Sequence, residues 1–499
     1  MFAMQTYLRK EVISVKLKDL ISGIKVISSK GELDRDIKGV TYDSRKALPG
    51  FLFVCIVGYS VDGHQYARQA VDNGASVLVV EKEVGVVGEN VTVIRVSDTR
   101  EALASIAAEW FGQPCRDMTL IGVTGTKGKT TTAYMIRSVL EKAGKIVGLI
   151  GTVANCIGNE KIPARRTTPE SYDLQEMFEK MKEKGADTVV MEVSSQGLKL
   201  GRVSGCNFEI GLFTNFSKDH IGGFEHPDME DYFASKQKLF KMCKKGIVNV
   251  DAAYSERIIE GAECELTTFG IEKPADVRAE NITTYSDSVE FDAVTPWFKE
   301  RIKVSVPGFF SVYNALGAIC VCGLLNIPPK LIREGLSNVQ VPGRAEVVST
   351  HGQDYTVMID YAHTPDSLEN ILSTVKGFVR GRLISVFGCG GDRDRTKRPI
   401  MGEISGRIAD FTIITSDNPR TEVPAQILAD IEAGIVKSAG KYVVIEDRTE
   451  AIRYAMENAE GGDIIVLSGK GHETYQIFRD KTIHYDEREI VENILEELE

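Results

Sequence analysis

Short apolar runs alternate with longer helix-like stretches along most of the chain. That alternation predicts strands separated by helices, an α/β fold. In the first part the runs Gly50 to Val57 and Ala75 to Val80 read as strands, and Thr99 to Trp110 reads as a helix. Gly112-Gln113-Pro114 breaks the pattern and reads as a linker. A second block opens with the run Thr119 to Thr124 and extends to about Val341, and Pro342-Gly343-Arg344 is the second break. In the third block Thr356 to Asp360, Leu383 to Phe387, Phe411 to Thr415, Tyr442 to Glu446 and Ile464 to Leu467 read as strands. The expected domains are therefore residues 1–112, 113–341 and 342–499. The length agrees, since 499 residues at roughly 150 per domain give about three. There is no internal repeat or low-complexity tract.

Composition narrows the class. Hydrophobic content of 43% and charged content of 26% are those of a folded globular protein. A formal charge of -11, from 60 basic and 71 acidic residues, argues against nucleic acid as a partner, because that binding is driven by a basic surface. Nine cysteines without a CxxC pair read as buried free thiols in a reducing compartment. No signal-peptide core and no apolar run near the ~20 residues of a membrane span is evident, so no membrane association and a cytoplasmic location are expected.

The strongest local signal is Gly122-Val123-Thr124-Gly125-Thr126-Lys127-Gly128-Lys129-Thr130-Thr131-Thr132, between an apolar strand and a helix-like segment, Ala133 to Lys142. Glycines let backbone N–H groups turn onto phosphate, and the helix that follows presents its positive end. Lys129 supplies a charge to the β- and γ-phosphates and the Thr130 hydroxyl a ligand to Mg²⁺. Gly122 is one residue too early for the strict G-x4-G-K-T spacing, so the loop is Gly125, Thr126, Lys127, Gly128, Lys129, Thr130 and Thr131. It predicts nucleotide binding without choosing a reaction.

The loop Gly-Thr-Lys-Gly-Lys-Thr-Thr resembles that of the Mur ligases and their relatives, the folylpolyglutamate synthetases, and matching motifs recur in all three blocks. The resemblance implies amide-bond formation through an acyl phosphate. It also implies three domains: a small N-terminal α/β domain that binds the UDP-sugar, a central P-loop domain that binds ATP, and a C-terminal Rossmann-like domain that binds the amino acid. Met191-Glu192-Val193-Ser194-Ser195 ends an apolar run, where Glu192 suits a Walker-B-like Mg²⁺ ligand. Phe213 to His220 resembles the family's T-N-x-x-x-D-H segment, which implies His220 as a metal ligand. Lys236 lies in a helix-like stretch, Tyr232 to Phe240, near Lys238 and Lys241. Spacing alone reads the three as a solvated basic face, whereas the resemblance implies that Lys236 carries a carbamate from CO₂ and offers Mg²⁺ an anionic oxygen. Ser311 to Leu316 resembles the segment whose asparagine, here Asn314, reads adenine. Arg344, Asp360 and His363 are placed at ATP by the same resemblance.

In the first block Asp43-Ser44-Arg45, followed by Pro49-Gly50-Phe51-Leu52-Phe53, resembles the D-S-R…P-G-D-L-F element and implies Ser44 at the uridine diphosphate. Phe51 and Tyr59 depart from the family pattern there. Thr167, Thr168, Ser194 and Arg202 match residues that hold the muramoyl-dipeptide. In the third block Gly388 to Arg393 fails the G-x-G-x-x-G fingerprint because Arg393 stands where glycine is needed. A guanidinium after a Gly turn suits a carboxylate instead. Asp417-Asn418-Pro419-Arg420 is by itself a turn former. In one branch of the family, D-N-P-R marks enzymes that add meso-diaminopimelate, and Gly469 to Glu473 resembles that branch's G-K-G-H-E segment, whose first glycine and glutamate contact the added amino acid. The residue types agree: a planar guanidinium takes the extra carboxylate with parallel bonds, and lysine would leave it unpaired. The expected reaction joins UDP-N-acetylmuramoyl-L-alanyl-D-glutamate to meso-diaminopimelate with ATP and Mg²⁺. The alternatives are another Mur or folylpolyglutamate-type ligase, against which the Asp417 to Arg420 and Gly469 to Glu473 elements speak, and a nucleotide-dependent regulator without ligase activity.

Overall fold

The computed structural model describes residues 14–58, 61–85, 88–219, 221–222, 225–350 and 352–498. Tyr59 and His220 lie outside them. The chain divides into two compact units, residues 1–129 with 143–268, and residues 130–142 with 269–499.

The first unit holds two main sheets. One has the order Val26–Lys30, Thr92–Val96, Val77–Val80, Phe51–Val54, Gly39–Thr41, all parallel except the edge strand Val26–Lys30. In the other, Val147–Ile150, Thr188–Glu192, Thr119–Thr124, Phe208–Phe213 and Cys243–Asn249 run parallel as neighbours. Parallel strands covered on both faces read as continuous apolar runs, and Val147–Ile150 and Thr188–Glu192 are buried throughout. Helix Thr99–Trp110, capped by Asp98 through Arg100 and Glu101 N–H, packs beside helix Ser171–Glu183. There Phe111 meets Tyr172 at 5.2 Å between ring centres, and the Tyr42 hydroxyl donates to Asp173 at 2.6 Å.

In the second unit Val277–Thr284, Val289–Val294 and Lys299–Val304 form an antiparallel meander. Val289–Val294 alternates buried with half-buried positions, as expected of a sheet with one covered face. Its helices Phe310–Leu324 and Pro329–Ser337 accompany the helical segment 130–142. Gly335 lets backbones touch, since a Cβ there would lie 2.5 Å from Val139 Cα. A six-stranded sheet follows, in the order Glu346–Val348, Thr356–Asp360, Ile464–Ser468, Leu383–Phe387, Phe411–Ile414, Tyr442–Val444. Only the first of these is antiparallel to its neighbour. The α/β class read from the sequence is the class observed.

Three strands, Thr119–Thr124, Thr356–Asp360 and Leu383–Phe387, have the bounds expected from the sequence. The helix expected from Ala133 begins at Lys129 instead. Its first turn needs no N–H partner four residues back, so the polar Lys-Thr-Thr-Thr sequence reads as loop although it is helical. The helix expected over Tyr232 to Phe240 runs Met229–Gln237 and tightens into a 3-10 turn, Lys238–Lys241. Among the described residues no helix is long and apolar enough to cross a membrane.

Candidate functional site

The phosphate loop leaves the carboxyl end of the buried central strand Thr119–Thr124. Gly125 has φ +149, and a Cβ there would lie 2.0 Å from Thr214 Oγ1, so glycine is required on both counts. Thr214 and Asn215 lace the loop to the next strand. Thr214 Oγ1 donates to Lys127 O at 2.7 Å, Asn215 Nδ2 donates to the same oxygen at 3.0 Å, and Asn215 Oδ1 accepts from Lys127 N at 2.8 Å. Thr126 Oγ1 accepts from Ser217 N at 3.0 Å and lies 3.1 Å from the Tyr232 hydroxyl. Lys129 Nζ donates to Gly125 O at 2.9 Å and Thr126 O at 3.0 Å. Lys236 Nζ donates to the same Gly125 O at 2.8 Å and sits 4.4 Å from the centre of the Tyr232 ring. Lys236 is 1% exposed, whereas Lys238 and Lys241 are exposed, so the stretch is not a uniform solvated face. Burial, and then the charge of Lys129, push the Lys236 amine well below the ordinary lysine range, with Asp219 opposing.

One strand over, the buried Glu192 accepts from Thr152 N and Thr152 Oγ1, each at 2.9 Å. Thr152 Oγ1 is also 3.0 Å from Thr167 Oγ1. Thr168 Oγ1 donates to Glu192 O at 2.9 Å and accepts from Ser194 N at 3.0 Å, and Arg202 donates to Thr168 O at 3.2 Å. Glu192, Thr167, Thr168, Ser194 and Arg202 thus form one connected cluster. Ser44 belongs to the other sheet's surroundings, and its Oγ donates to Gln69 Oε1 at 2.8 Å. The sequence reading missed His226, which is fully buried between Ser195 Oγ at 2.9 Å and Asp231 Oδ2 at 2.6 Å. It ties the turn after Glu192 to the helix that carries Lys236. A spacing of five residues between His226 and Asp231 matches neither helix nor strand period, so no sequence signal marked it.

In the second unit Asn314 Oδ1 accepts from Thr132 Oγ1 at 3.3 Å, next to the buried Thr130 and Thr131. Arg344 lies 5.0 Å from the Tyr361 ring centre. Asp360 accepts from Ala345 N and Ala362 N, each at 2.8 Å, yet desolvation holds its carboxyl above the usual range. His363 Nδ1 is 2.8 Å from Tyr361 O. Arg344, Asp360 and His363 are thus gathered at the end of strand Thr356–Asp360.

The carboxyl ends of the neighbouring parallel strands carry the other predicted residues, at the edge where open α/β sheets bind ligands. A Cβ on Gly391 would lie 1.9 Å from Pro419 O, so the Gly388–Arg393 and Asp417–Arg420 turns interlock there. Arg420, at φ +53, donates to Gly391 O at 2.9 Å, and Arg393, which is exposed, donates to Asp392 O at 3.1 Å. Gly469, at φ +117, faces Asp417: a Cβ would lie 2.7 Å from its Oδ2. Asn418 Nδ2 donates to Glu473 Oε2 at 2.8 Å. Beneath them a buried pair missed in the sequence, Arg448 and Glu487, meets at 2.7 Å. Arg448 also donates to Ser468 O at 2.9 Å and Ser416 O at 3.4 Å.

A glycine loop closing a central parallel strand, with a lysine at its helical end, defines a P-loop nucleotide-binding protein. Residues 36–111 match the Mur ligase family, catalytic domain; residues 123–322 match the Mur ligase middle domain; residues 343–471 match the Mur ligase, glutamate ligase domain. The UDP-N-acetylmuramoyl-L-alanyl-D-glutamate--2,6-diaminopimelate ligase of Clostridium botulinum (strain ATCC 19397 / Type A) is 50% identical over 471 residues, 94% of this chain and 97% of the relative. The protein of the same name from Caldanaerobacter subterraneus subsp. tengcongensis is 50% identical over 486 residues, 97% of this chain and 100% of the relative. A solved structure of a ligase of that name superposes with a TM-score of 0.73 at 30% identity, covering 97% of this chain and 99% of the other. The chain belongs to the Mur ligase family.

Proposed function

We infer that the chain is the ATP-dependent ligase that joins 2,6-diaminopimelate to UDP-N-acetylmuramoyl-L-alanyl-D-glutamate, a step in building peptidoglycan precursors. The observation that carries the amino-acid choice is the meeting of the Asp417–Arg420 turn with Gly469 and Glu473. Relatives at 50% identity over nearly the whole chain bear the name of that reaction. We propose domain boundaries at 112/113 and 341/342, within which the three family matches fall. The nine free cysteines suit the cytoplasm, where we place the reaction.

In this reading Gly125 to Thr131 hold the ATP phosphates, Asn314 reads the base, and Arg344, Asp360 and His363 complete the nucleotide contacts. Ser44 contacts the uridine diphosphate, and Thr167, Thr168, Ser194 and Arg202 hold the dipeptide. The D-glutamyl side-chain carboxylate takes the γ-phosphoryl group, ADP leaves, and the diaminopimelate amine then displaces phosphate to form the amide. Lys129 counters the charge on the transferring group. Arg393 and Arg420 take diaminopimelate carboxylates, and Asp417, Asn418, Pro419, Gly469 and Glu473 line the rest of that site.

Thr130, Glu192, His220 and Lys236 would hold Mg²⁺, which when bound neutralises phosphate charge. A threonine hydroxyl, a carboxylate and a carbamate oxygen are the oxygen donors that suit Mg²⁺ shared with nucleotide phosphates. Lys236 would serve as a carbamate, because Mg²⁺ prefers oxygen ligands to an amine nitrogen and a protonated amine has no lone pair to give. Its burial supports that form, since the neutral amine is the one that takes up CO₂. The experiment is product mass spectrometry after incubation with ATP, Mg²⁺, the UDP-linked dipeptide and meso-diaminopimelate. The tripeptide product, and ADP release that needs both acceptor and amine, are expected. ADP release indifferent to the amine would return the chain to the regulator reading.

A further inference from the structure

Lys470 is a buried cation at the amino-acid end of the second unit, with a fully covered side chain. Its ammonium donates to Asn418 Oδ1 at 3.2 Å and to Glu473 Oε2 at 3.4 Å. The triangle is closed by Asn418 Nδ2, which donates to Glu473 Oε2 at 2.8 Å. The backbone completes the lock: Ile477 N donates to Asn418 Oδ1 at 3.0 Å, and Glu473 N donates to Lys470 O at 2.9 Å. The rings of Tyr475 and Tyr485 each stand 5.8 Å from the ammonium. A buried ammonium among aromatic rings is costly unless it is paired. Here its partners are a carboxylate and an amide that the proposed function sets against substrate.

We propose that Lys470 is a positioning residue for the incoming amino acid, its ammonium fixing Asn418 and Glu473 in the orientation that receives a diamino acid. The proposal rests on the reading that those two residues face the amino acid. The reason is geometric. Asn418 lies within a turn and Glu473 in a loop, and a polar side chain on such a segment has several rotamers open to it. Lys470 reaches both from underneath and accepts no hydrogen bond itself, so it dictates which oxygens turn inward. Asn418 is thereby held with Oδ1 toward Lys470 and Nδ2 toward Glu473, and the amide cannot flip without losing both bonds.

The test uses the full-length protein and the steady-state constants for all three substrates. Lys470→Met should raise KM for meso-diaminopimelate ~30-fold or more, the effect of unpairing a buried hydrogen-bonded charge, while KM for ATP and for the UDP-linked dipeptide stays within about twofold. Glu473→Gln and the double variant Lys470→Met/Glu473→Gln are measured beside it. If Lys470 acts through Glu473, the double variant is little worse than Glu473→Gln alone, a non-additivity that a merely structural role would not produce. Lys470→Gln, which keeps a donor and similar volume, is read for the same KM pattern should Lys470→Met not fold. Additive losses, or KM values for all three substrates rising together, overturn the proposal. So does an unchanged diaminopimelate KM in the Lys470 variants while Glu473→Gln is impaired. An unchanged diaminopimelate KM in Glu473→Gln itself removes the underlying reading instead.

Discussion

Burial sets Lys236 apart from an ordinary surface lysine. A lysine on a helix is normally a solvated cation, but this one is covered, faces a backbone carbonyl and shares its surroundings with Lys129. Lys236→Ala should therefore be nearly inactive, and small carboxylic acids should restore part of the rate by returning an oxygen anion to the vacated space. Full activity in steady-state assays of Lys236→Ala would mean that the amine is only a structural donor to Gly125 O. His472 makes a second case at this scale. Burial, and then Arg344, lower its pKa to about 4. Above the ordinary value of about 6.5 it is neutral whether folded or unfolded and contributes no pH dependence. As pH falls below that, the unfolded chain takes the proton first, so stability declines until about pH 4, where the folded imidazole protonates too. Between pH 7 and 5 this amounts to about 2 kcal/mol. His472→Gln should lose that much less in urea unfolding over the same interval. Equal losses in wild type and variant would show that the imidazole titrates normally.

At the scale of elements, the buried Arg448–Glu487 pair joins the ends of two strands, because Arg448 also binds Ser416 O and Ser468 O. Those ends lead into Asp417 and Gly469. Arg448→Met leaves a buried carboxylate alone and should cost about 3–5 kcal/mol in equilibrium unfolding. Adding Glu487→Leu should recover most of it. If the double variant is as unstable as the single, the pair is not the source. Neither residue announced itself in the sequence, since Arg448 starts one helix and Glu487 another, where charges are ordinarily solvated. The strands were legible because parallel strands covered on both faces are uniformly apolar, as in Leu383–Phe387. Phosphate-loop positions were legible because glycine and lysine have few other reasons for that spacing. What stayed hidden was whatever depends on long-range contact: the depth at which Lys236 and Lys470 sit, and the hold of Thr214 and Asn215 on Lys127.

For the whole molecule, the sequence divides into three family-matched stretches, while the chain folds as two compact units. The central stretch contributes to both, as its strands up to Cys243–Asn249 lie in the first unit and the meander from Val277 in the second. An acidic balance of -11 accords with the proposal that small anionic substrates are held by local guanidiniums and a phosphate loop rather than by a broad basic surface. Amino-acid choice, with Arg420 proposed as the residue that makes it, is the central property to measure. The direct measurement is kcat/KM for meso-diaminopimelate and for L-lysine, side by side, in wild type and Arg420→Ala. A strong wild-type preference for meso-diaminopimelate is expected, and a loss of roughly 30- to 700-fold for it in the variant, from about 2–4 kcal/mol of charge pairing. Discrimination against lysine should narrow and ATP binding should stay unchanged. A wild-type enzyme that uses lysine as readily as meso-diaminopimelate, or an Arg420→Ala variant with both constants intact, would contradict this proposal.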